Sequence, residues 1–244
     1  MDLFDILKKV KNNEIGIEEA ERQLQLLSFK QLSNIARVDI HRARRVGIPE
    51  AIIADCKTCD EVVSIAQIHL ENEKRVIITR VSDENYTALK ALAEKMNFPI
   101  RYAKHARIII IGEPVKKTGG KVGVVSAGTA DIPVAEEARI IAEEMGCYVT
   151  TVYDVGVAGI HRLFPGLTKL VNEKADAVVV VAGREGTLPS VVSGLVDVPV
   201  IGVPVSTGYG AGGKGKAALL SMLQSCSVLA VVARGGRRGA PATE

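Results

Sequence analysis

The first part of the chain carries hydrophobic residues at helical spacing. Leu3, Ile6 and Leu7 lie at i, i+3, i+4 positions, as on the buried face of an amphipathic helix. This spacing predicts helices between about residues 1 and 32. A short strand is predicted next, over residues 36–42, where the chain runs into a charged turn.

Helix starts and buried strands then follow in alternation. Thr58 and Ser82 are each followed by acidic residues, which is the pattern of a helix N-cap. The helix after Thr58 is predicted to reach about Leu70. Runs of Ile and Val predict strands over residues 75–79 and 108–111.

A regular alternation of strands and helices begins after a polar segment at residues 112–120 that is rich in helix and strand breakers. Strands rich in Val or Ile, glycine-containing turns and helices indicate a parallel sheet with right-handed crossovers and helices on both faces. The strands are predicted over residues 122–126, 148–153, 177–182, 200–205 and 228–232, and the helices over residues 133–145, 159–173, 188–195 and 214–224. We therefore predict an α/β protein with an N-terminal α/β domain at residues 1–112 and a second domain at residues 121–236.

Glycine is concentrated in the second domain, since 21 of the 23 glycines lie at or after Gly112. Four glycine-rich turns follow predicted strands, and the carboxyl ends of parallel strands meet at one edge of a sheet, where α/β proteins bind ligands. We call this edge the rim. Backbone amides in such turns favour anions. The candidate substrate-binding residues at the rim are Ser126, Gly128, Thr129, Asp131, His161, Arg162, Gly183, Gly186, Ser206 and Gly208, with Arg184 and Glu185 beside them.

Purely structural roles could also explain these rim residues. The glycines can serve only to make tight turns, and Asp131 can cap its helix instead of holding ribose hydroxyls. His161 either binds phosphate or shuttles a proton, or it is a structural histidine at a helix start. The segment at residues 206–216 holds five glycines but matches neither the GxGxxG nor the Walker pattern. The residue types alone therefore support a loop that binds phosphate, but they do not identify a particular nucleotide-binding motif.

Composition mainly excludes functions. The net charge of +3, with both signs interspersed, is too mild for a nucleic-acid-binding face. No run of 18 apolar residues is present, and the acidic N-terminus does not resemble a signal peptide, so we expect a cytoplasmic protein with no membrane partner. Aromatic residues make up 4% of the chain, and recognition by aromatic stacking is not expected. Cys56 and Cys59 form a lone CxxC pair, which we interpret as structural or incidental.

Residues 124–138 read VVSAGTADIPVAEEA. This segment resembles the start of the catalytic domain of the LarB family, the carboxylase/hydrolase of nickel-pincer nucleotide cofactor biosynthesis. Residues 154–163, 182–190 and 221–226 resemble its other signatures, and residues 39–50 resemble its upstream segment. The resemblance covers most of the chain.

The second domain also resembles, more distantly, PurE, the aminoimidazole ribonucleotide mutase/carboxylase. PurE enzymes are flavodoxin-like octamers, so this resemblance implies a flavodoxin-like parallel sheet and a homo-oligomer. Two departures count against PurE itself. Thr187 stands where its CO2-site histidine is expected, and the acidic Glu185 appears in the same loop. The first 111 residues have no PurE counterpart.

The LarB resemblance implies a defined reaction. Nicotinic acid adenine dinucleotide is carboxylated on its pyridinium ring by CO2 or bicarbonate, and its phosphoanhydride is hydrolysed. The products are pyridinium-3,5-biscarboxylic acid mononucleotide and AMP. Hydrolysis implies Mg²⁺ bound largely through substrate phosphates, although no dedicated metal-ligand set is visible in the sequence. Asp39, Arg42 and Arg45 are the candidate substrate contacts of the first domain, although a solvated basic face explains the two arginines equally well.

The resemblance assigns the catalytic roles to Cys226 and Glu185. An electron-poor pyridinium ring must first gain electron density, and a thiolate is both a good nucleophile and a good leaving group. By sequence alone, Cys226 could equally be an ordinary buried cysteine, and Glu185 a solvated turn carboxylate. Cys226 should lie opposite the rim, so a neighbouring subunit would have to bring it to the site. A PurE-like mutase and a non-catalytic nucleotide-binding protein remain the alternative functions.

Overall fold

The computed structural model divides into two compact units, Met1–Pro114 and Val115–Glu244. The residues that the structure describes are 3–27, 30–32, 36–38, 47–55 and 57–232.

The first unit begins with two helices and two paired antiparallel strands. The elements are α1 (Leu3–Lys11), α2 (Ile17–Leu27), β1 (Lys30–Leu32) and β2 (Ala36–Val38). The expected helical stretch to residue 32 is therefore wrong at its end. Lys30 pairs with Val38 and Leu32 with Ala36 in two antiparallel strands, so the backbone groups of this segment bond to a neighbouring strand and not along a helix.

A four-stranded sheet forms the rest of this unit. Its elements are β3 (Ala51–Ile53), α3 (Cys59–Glu73), β4 (Arg75–Thr79), α4 (Asp83–Met96), β5 (Ile100–Ala103) and β6 (Ile108–Gly112). The strand order is β3-β4-β6-β5, with β3 parallel to β4 and the other pairs antiparallel. Fully buried Leu70 and Leu89 pack from the two helices against Ile78 and Ile109 of the central strands.

Both predicted helix starts of this unit are confirmed by reciprocal caps. The Thr58 hydroxyl accepts a hydrogen bond from the Glu61 N–H at 3.2 Å, and the Glu61 carboxylate accepts one from the Thr58 N–H at 2.8 Å. Ser82 and Asn85 make the equivalent pair, each at 3.1 Å. These bonds satisfy backbone donors that a helix leaves unpaired at its first turn.

The second unit is a parallel sheet with alternating helices. Its elements are β7 (Lys121–Ser126), α5 (Ile132–Glu144), β8 (Tyr148–Val152), α6 (Leu163–Asn172), β9 (Ala177–Ala182), α7 (Leu188–Ser193), β10 (Val200–Pro204), α8 (Lys216–Leu223) and β11 (Ala230–Val231), with 3₁₀ turns at Thr129–Asp131 and Val157–Arg162. The strand order is β11-β10-β9-β7-β8, and all pairs are parallel.

This order is the flavodoxin-like one, and it confirms the predicted fold class. The chain builds outward from β7 to β8 on one side and then from β9 to β11 on the other, so the connections change direction between β7 and β9. Apolar side chains from α5 cover one face of the sheet, while those from α6, α7 and α8 cover the other. No helix in the described part of the chain is long and apolar enough to cross a membrane.

Candidate functional site

A cleft of about 710 Å³ opens at the carboxyl ends of the parallel strands. The turns after β7, β8, β9 and β10 all contribute to its wall. Two of these turns follow β7 and β9, the neighbouring strands between which the connections change direction. In open α/β sheets, ligands bind in this crevice. The structure thus forms a cleft at the rim.

The predicted rim residues divide into two groups. Those that line the cleft are Gly128, Thr129, Asp131, Arg162, Gly183, Glu185 and Gly208. Ser126, His161, Gly186 and Ser206 are not among the lining residues. Asp39, Arg42 and Arg45 lie outside the described residues. The part that each residue takes in binding or catalysis stays a prediction.

The rim residues outside the lining have visible local positions. Ser126 is fully buried, and its hydroxyl accepts a hydrogen bond from the Asp154 N–H at 3.2 Å. Gly186 has φ +65°, and a Cβ there would lie 2.6 Å from the Ala218 carbonyl oxygen. These two residues therefore shape the turns beneath the cleft. His161 and Ser206 are exposed.

Asp131 joins two turns of the rim. Its side chain is buried, with 5% of the residue exposed. One carboxylate oxygen accepts the Gly128 N–H at 3.0 Å, and the other accepts the Thr207 hydroxyl at 2.8 Å. Both oxygens of this carboxylate are thus engaged within the protein, which favours a role in positioning the β7 and β10 turns.

Gly183 allows the β9 turn to approach the β10 turn closely. A Cβ at this position would lie 2.6 Å from the Thr207 carbonyl oxygen and closer still to Thr207 Oγ1. The next residue, Arg184, donates its backbone N–H to the same carbonyl at 2.8 Å. Only glycine fits here, and the two turns are held in contact at the floor of the cleft.

An ion pair borders the cleft on the β8 side. The Arg162 guanidinium bonds to the Asp154 carboxylate at 2.7 Å, and both side chains are partly exposed. Such a pair adds little to stability in water. Asp154 itself has φ +56°, a left-handed conformation that turns the chain from β8 toward the 3₁₀ segment.

A second set of charged groups follows β9. Arg184 has φ +51°, and its guanidinium lies 5.2 Å from the ring centroid of Tyr209. Glu185 is exposed at the cleft and makes no ion pair with any residue that the structure describes. The cleft therefore offers the Glu185 and Asp154 carboxylates, two guanidinium groups and the ring of Tyr209 to a ligand.

A polar network supports the β8 turn from behind. The Tyr153 hydroxyl donates to Glu136 of α5, and Glu136 also bonds to Arg139 at 2.8 Å. Burial, and then the hydrogen bond to Glu136, raise the pKa of Tyr153 far above its usual value. The Glu136 hydrogen bond likewise raises the pKa of Arg139. Tyr153 thus stays neutral at physiological pH and anchors the turn that carries Asp154.

Cys226 lies at the other end of the sheet, as its place before the last strand predicts. The neighbouring Val228 carbonyl accepts the hydroxyl of Ser193, the last residue of α7, which starts at the rim. The six residues of β9 span roughly 17 Å at about 3.3 Å per residue. Cys226 is exposed but too far from the rim of its own chain to bond to a ligand in the cleft.

The described residues contain no cluster of three His, Cys, Asp or Glu side chains that could hold a metal ion. Cys59 Sγ lies 4.0 Å from the Glu84 carbonyl oxygen. Cys56, its partner in the CxxC pair, lies outside the described residues. A Mg²⁺ ion at the cleft would take most of its ligands from a phosphate-bearing substrate, with Glu185 or Asp154 supplying a carboxylate.

Three polar lining residues, Asp154, Thr207 and Tyr209, are not among the predicted substrate-binding residues. All three lie in turns that follow predicted strands, so their position in the chain is the signal that could have found them. For Tyr209, the low aromatic content argued against a role for its ring, which is exposed and lines the cleft.

Removing the Asp131 carboxylate should destabilise the second unit. In Asp131→Ala, the Gly128 N–H and Thr207 hydroxyl lose their buried acceptor, which we expect to cost about 2 kcal/mol in the free energy of unfolding. Asp131→Asn should cost less, because the Thr207 hydroxyl can accept from the new amide. Urea unfolding measures both changes, with Asp197→Ala as a control at an exposed aspartate. Equal stability of Asp131→Ala and wild type would contradict the positioning role.

Two protein-family models match the chain in sequence order. The model of a LarB/PurE-like N-terminal domain matches residues 29–113, and the AIR carboxylase model matches residues 121–242. An uncharacterized protein of Methanocaldococcus jannaschii is 40% identical over 235 residues, which cover 93% of this chain and 88% of that protein. This similarity runs through both units.

Similarity to N5-carboxyaminoimidazole ribonucleotide mutases covers about half of the chain or less. The N5-carboxyaminoimidazole ribonucleotide mutase of M. jannaschii is 35% identical over 117 residues, which cover 48% of this chain and 69% of the mutase. The mutase of the same name from Thermotoga maritima is 30% identical over 91 residues, 36% of this chain and 51% of the mutase.

Proposed function

Because this chain belongs to the LarB family, with a LarB N-terminal domain followed by a PurE-like domain, we propose that it carboxylates nicotinic acid adenine dinucleotide. The family is one of carboxylase-related enzymes. The proposed reaction takes the dinucleotide and CO2 to pyridinium-3,5-biscarboxylic acid mononucleotide and AMP, in the synthesis of a nickel-pincer nucleotide.

The observation that carries this proposal is the chemistry of the β9 turn. Glu185 and Thr187 line the cleft, and none of the described lining residues is a histidine. The PurE resemblance expects a CO2-site histidine where Thr187 stands. A PurE-type reaction therefore lacks that group here, and a carboxylate lies in the same turn. This exchange supports a carboxylation that proceeds by another route.

The proposed route is covalent. The thiolate of Cys226 adds to a ring carbon next to the one to be carboxylated, which breaks aromaticity and leaves an enamine. The enamine carbon forms a bond to CO2, and Glu185 takes the ring proton from that carbon. The electron pair of the broken C–H bond restores aromaticity as the C–S bond breaks and the thiolate leaves. Ring carbon, proton and thiolate are thus all accounted for.

Hydrolysis of the phosphoanhydride is the second part of the proposal. Water attacks phosphorus, and AMP leaves with the bridging oxygen. Arg162 and Arg184 border the cleft and would bind the phosphate oxygens, since guanidinium groups match phosphate geometry. Mg²⁺, when bound to the phosphates, would supply further charge neutralisation.

Cys226 requires a second copy of the chain to complete the site. It is exposed at the amino ends of the parallel strands, opposite the cleft. The exposed apolar side chains Leu223 and Val228 lie near it in sequence. We therefore propose that Cys226 of one protomer enters the rim cleft of its partner, in a homo-oligomer for which PurE suggests an octamer.

The test offers the purified protein two substrates. With nicotinic acid adenine dinucleotide, bicarbonate and Mg²⁺, we expect release of AMP and a carboxylated mononucleotide. Liquid chromatography measures both products. Conversion of N5-carboxyaminoimidazole ribonucleotide instead would favour the mutase that the similarity to the second unit suggests. Binding of the dinucleotide without turnover would favour a nucleotide-binding protein.

A further inference from the structure

Arg184 and Tyr209 form a pair at the cleft that the proposed chemistry does not use as a unit. The guanidinium lies 5.2 Å from the Tyr209 ring centroid, and both residues line the cleft. Tyr209 is 82% exposed, so most of its ring is open to a ligand. Arg184 makes no ion pair with any described residue. The Arg184 guanidinium, which is not neutralised by a described carboxylate, therefore lies over one face of the exposed Tyr209 ring.

The backbone holds this pair in place from below. The Arg184 N–H donates to the Thr207 carbonyl at 2.8 Å, two residues before Tyr209. The Thr207 hydroxyl in turn donates to the buried carboxylate of Asp131. The β9 turn that carries Arg184 and the β10 turn that carries Tyr209 are thus fixed to each other, while both side chains remain open to the cleft.

The chemistry of the pair selects a class of ligand. A guanidinium binds phosphate through two parallel hydrogen bonds, and it also stacks on planar rings. A tyrosine ring stacks on any nucleobase. The pyridinium ring of nicotinic acid carries a positive charge on its nitrogen and a negative charge on its carboxylate. Stacking this ring on Tyr209 brings the cationic nitrogen close to the Arg184 guanidinium, which repels it. Adenine is neutral at physiological pH, so a neutral base attached to a phosphate suits the pair best.

We infer that Arg184 and Tyr209 bind the adenosine monophosphate half of the substrate, with the base on the Tyr209 ring and the phosphate on the Arg184 guanidinium. This inference rests on the proposed function, because it assigns one half of the dinucleotide to this part of the cleft. The pyridinium half then lies off the Tyr209 ring, where the Glu185 carboxylate and the partner's thiol would both have to reach it.

Calorimetric titration tests the assignment without requiring turnover. The probes are AMP, ribose 5-phosphate, which lacks the base, and nicotinic acid mononucleotide, which carries the pyridinium ring. Tyr209→Ala should weaken AMP binding about tenfold, as expected for loss of one base stack, and leave ribose 5-phosphate binding unchanged. Tyr209→Phe should keep the AMP affinity. Arg184→Gln should weaken both AMP and ribose 5-phosphate.

The chain offers a matched control in Tyr148. Lys117 lies 5.3 Å from the Tyr148 ring centroid, so this exposed tyrosine also has a cationic neighbour, but it lies at the amino end of β8 and not at the cleft. Tyr148→Ala should leave all three affinities unchanged. This comparison separates loss of base stacking from a general effect of removing an exposed ring.

Three results would overturn the assignment. The first is that wild type does not bind AMP, and the second is that Tyr209→Ala binds AMP within about twofold of the wild-type affinity. The third is that Tyr209→Ala loses affinity for nicotinic acid mononucleotide and not for AMP. The two proposals fail separately. If the dinucleotide is not turned over but AMP binding depends on Tyr209, only the reaction is wrong. If AMP is released but Tyr209→Ala binds it normally, only the assignment of the pair is wrong.

Discussion

Cys226→Ala is expected to abolish carboxylation, with a loss of roughly 10⁴-fold or more, as for removal of a covalent nucleophile. Alanine cannot add to the pyridinium ring, so the enamine that attacks CO2 does not form. Because Cys226 is exposed, its removal should leave the free energy of unfolding nearly unchanged. Product formation is followed by chromatography. Cys147→Ala is the matched control and should retain activity, and full activity of Cys226→Ala would eliminate the thiolate route.

Mixed oligomers test whether two protomers share the site. Cys226→Ala and Glu185→Gln are each expected to be inactive, but co-expression should restore activity. If one protomer supplies the thiol and its partner the carboxylate, roughly a quarter of the sites in a random mixture contain both wild-type groups. If both groups act within one chain, no site in the mixture is complete. Absence of restored activity would contradict the shared site.

Gly183→Ala is expected to destabilise the second unit by about 3 kcal/mol, because a methyl group is forced against a packed backbone. The new Cβ would lie 2.6 Å from the Thr207 carbonyl oxygen, and this carbonyl is already held by the Arg184 N–H. The β9 and β10 turns must separate, so turnover should be lost as well. Urea unfolding measures the first effect and AMP release the second.

The control for Gly183 is another glycine of the same unit. A Cβ at Gly194 would meet its neighbours at ordinary van der Waals distances of 3.6 Å or more. Gly194→Ala should therefore change the free energy of unfolding by about 0.5 kcal/mol or less. If the two variants unfold at the same urea concentration, the close approach of the β9 and β10 turns does not require glycine at position 183.

The parallel sheet of the second unit could be predicted closely from the sequence. Its central strand Ala177–Ala182 is mostly buried, so its Val run is uninterrupted, and this strand was predicted with the observed bounds. Two strands of the first unit, Ala51–Ile53 and Ile100–Ala103, gave no clear signal. They have three and four residues and lie at the two edges of their sheet, where part of each strand faces solvent and the hydrophobic pattern is weak.

The position of the site followed from the order of strands and turns, but its contacts did not. Asp131 and Thr207 are 76 positions apart, so no local pattern could show that they bond. Arg162 lines the cleft whereas its neighbour His161 does not. Both lie in a 3₁₀ turn, where adjacent side chains point about a third of a turn apart, so a correct turn still left the choice between them open.

The most direct test of the proposed reaction is an isotope measurement. The purified protein is incubated with nicotinic acid adenine dinucleotide, Mg²⁺ and bicarbonate labelled with carbon-13, and the nucleotides are analysed by mass spectrometry. The proposed reaction yields AMP and, in equal amount, a mononucleotide that carries one labelled carboxyl group. If folded and assembled protein produces no AMP and incorporates no label into any nucleotide, the proposed reaction is contradicted.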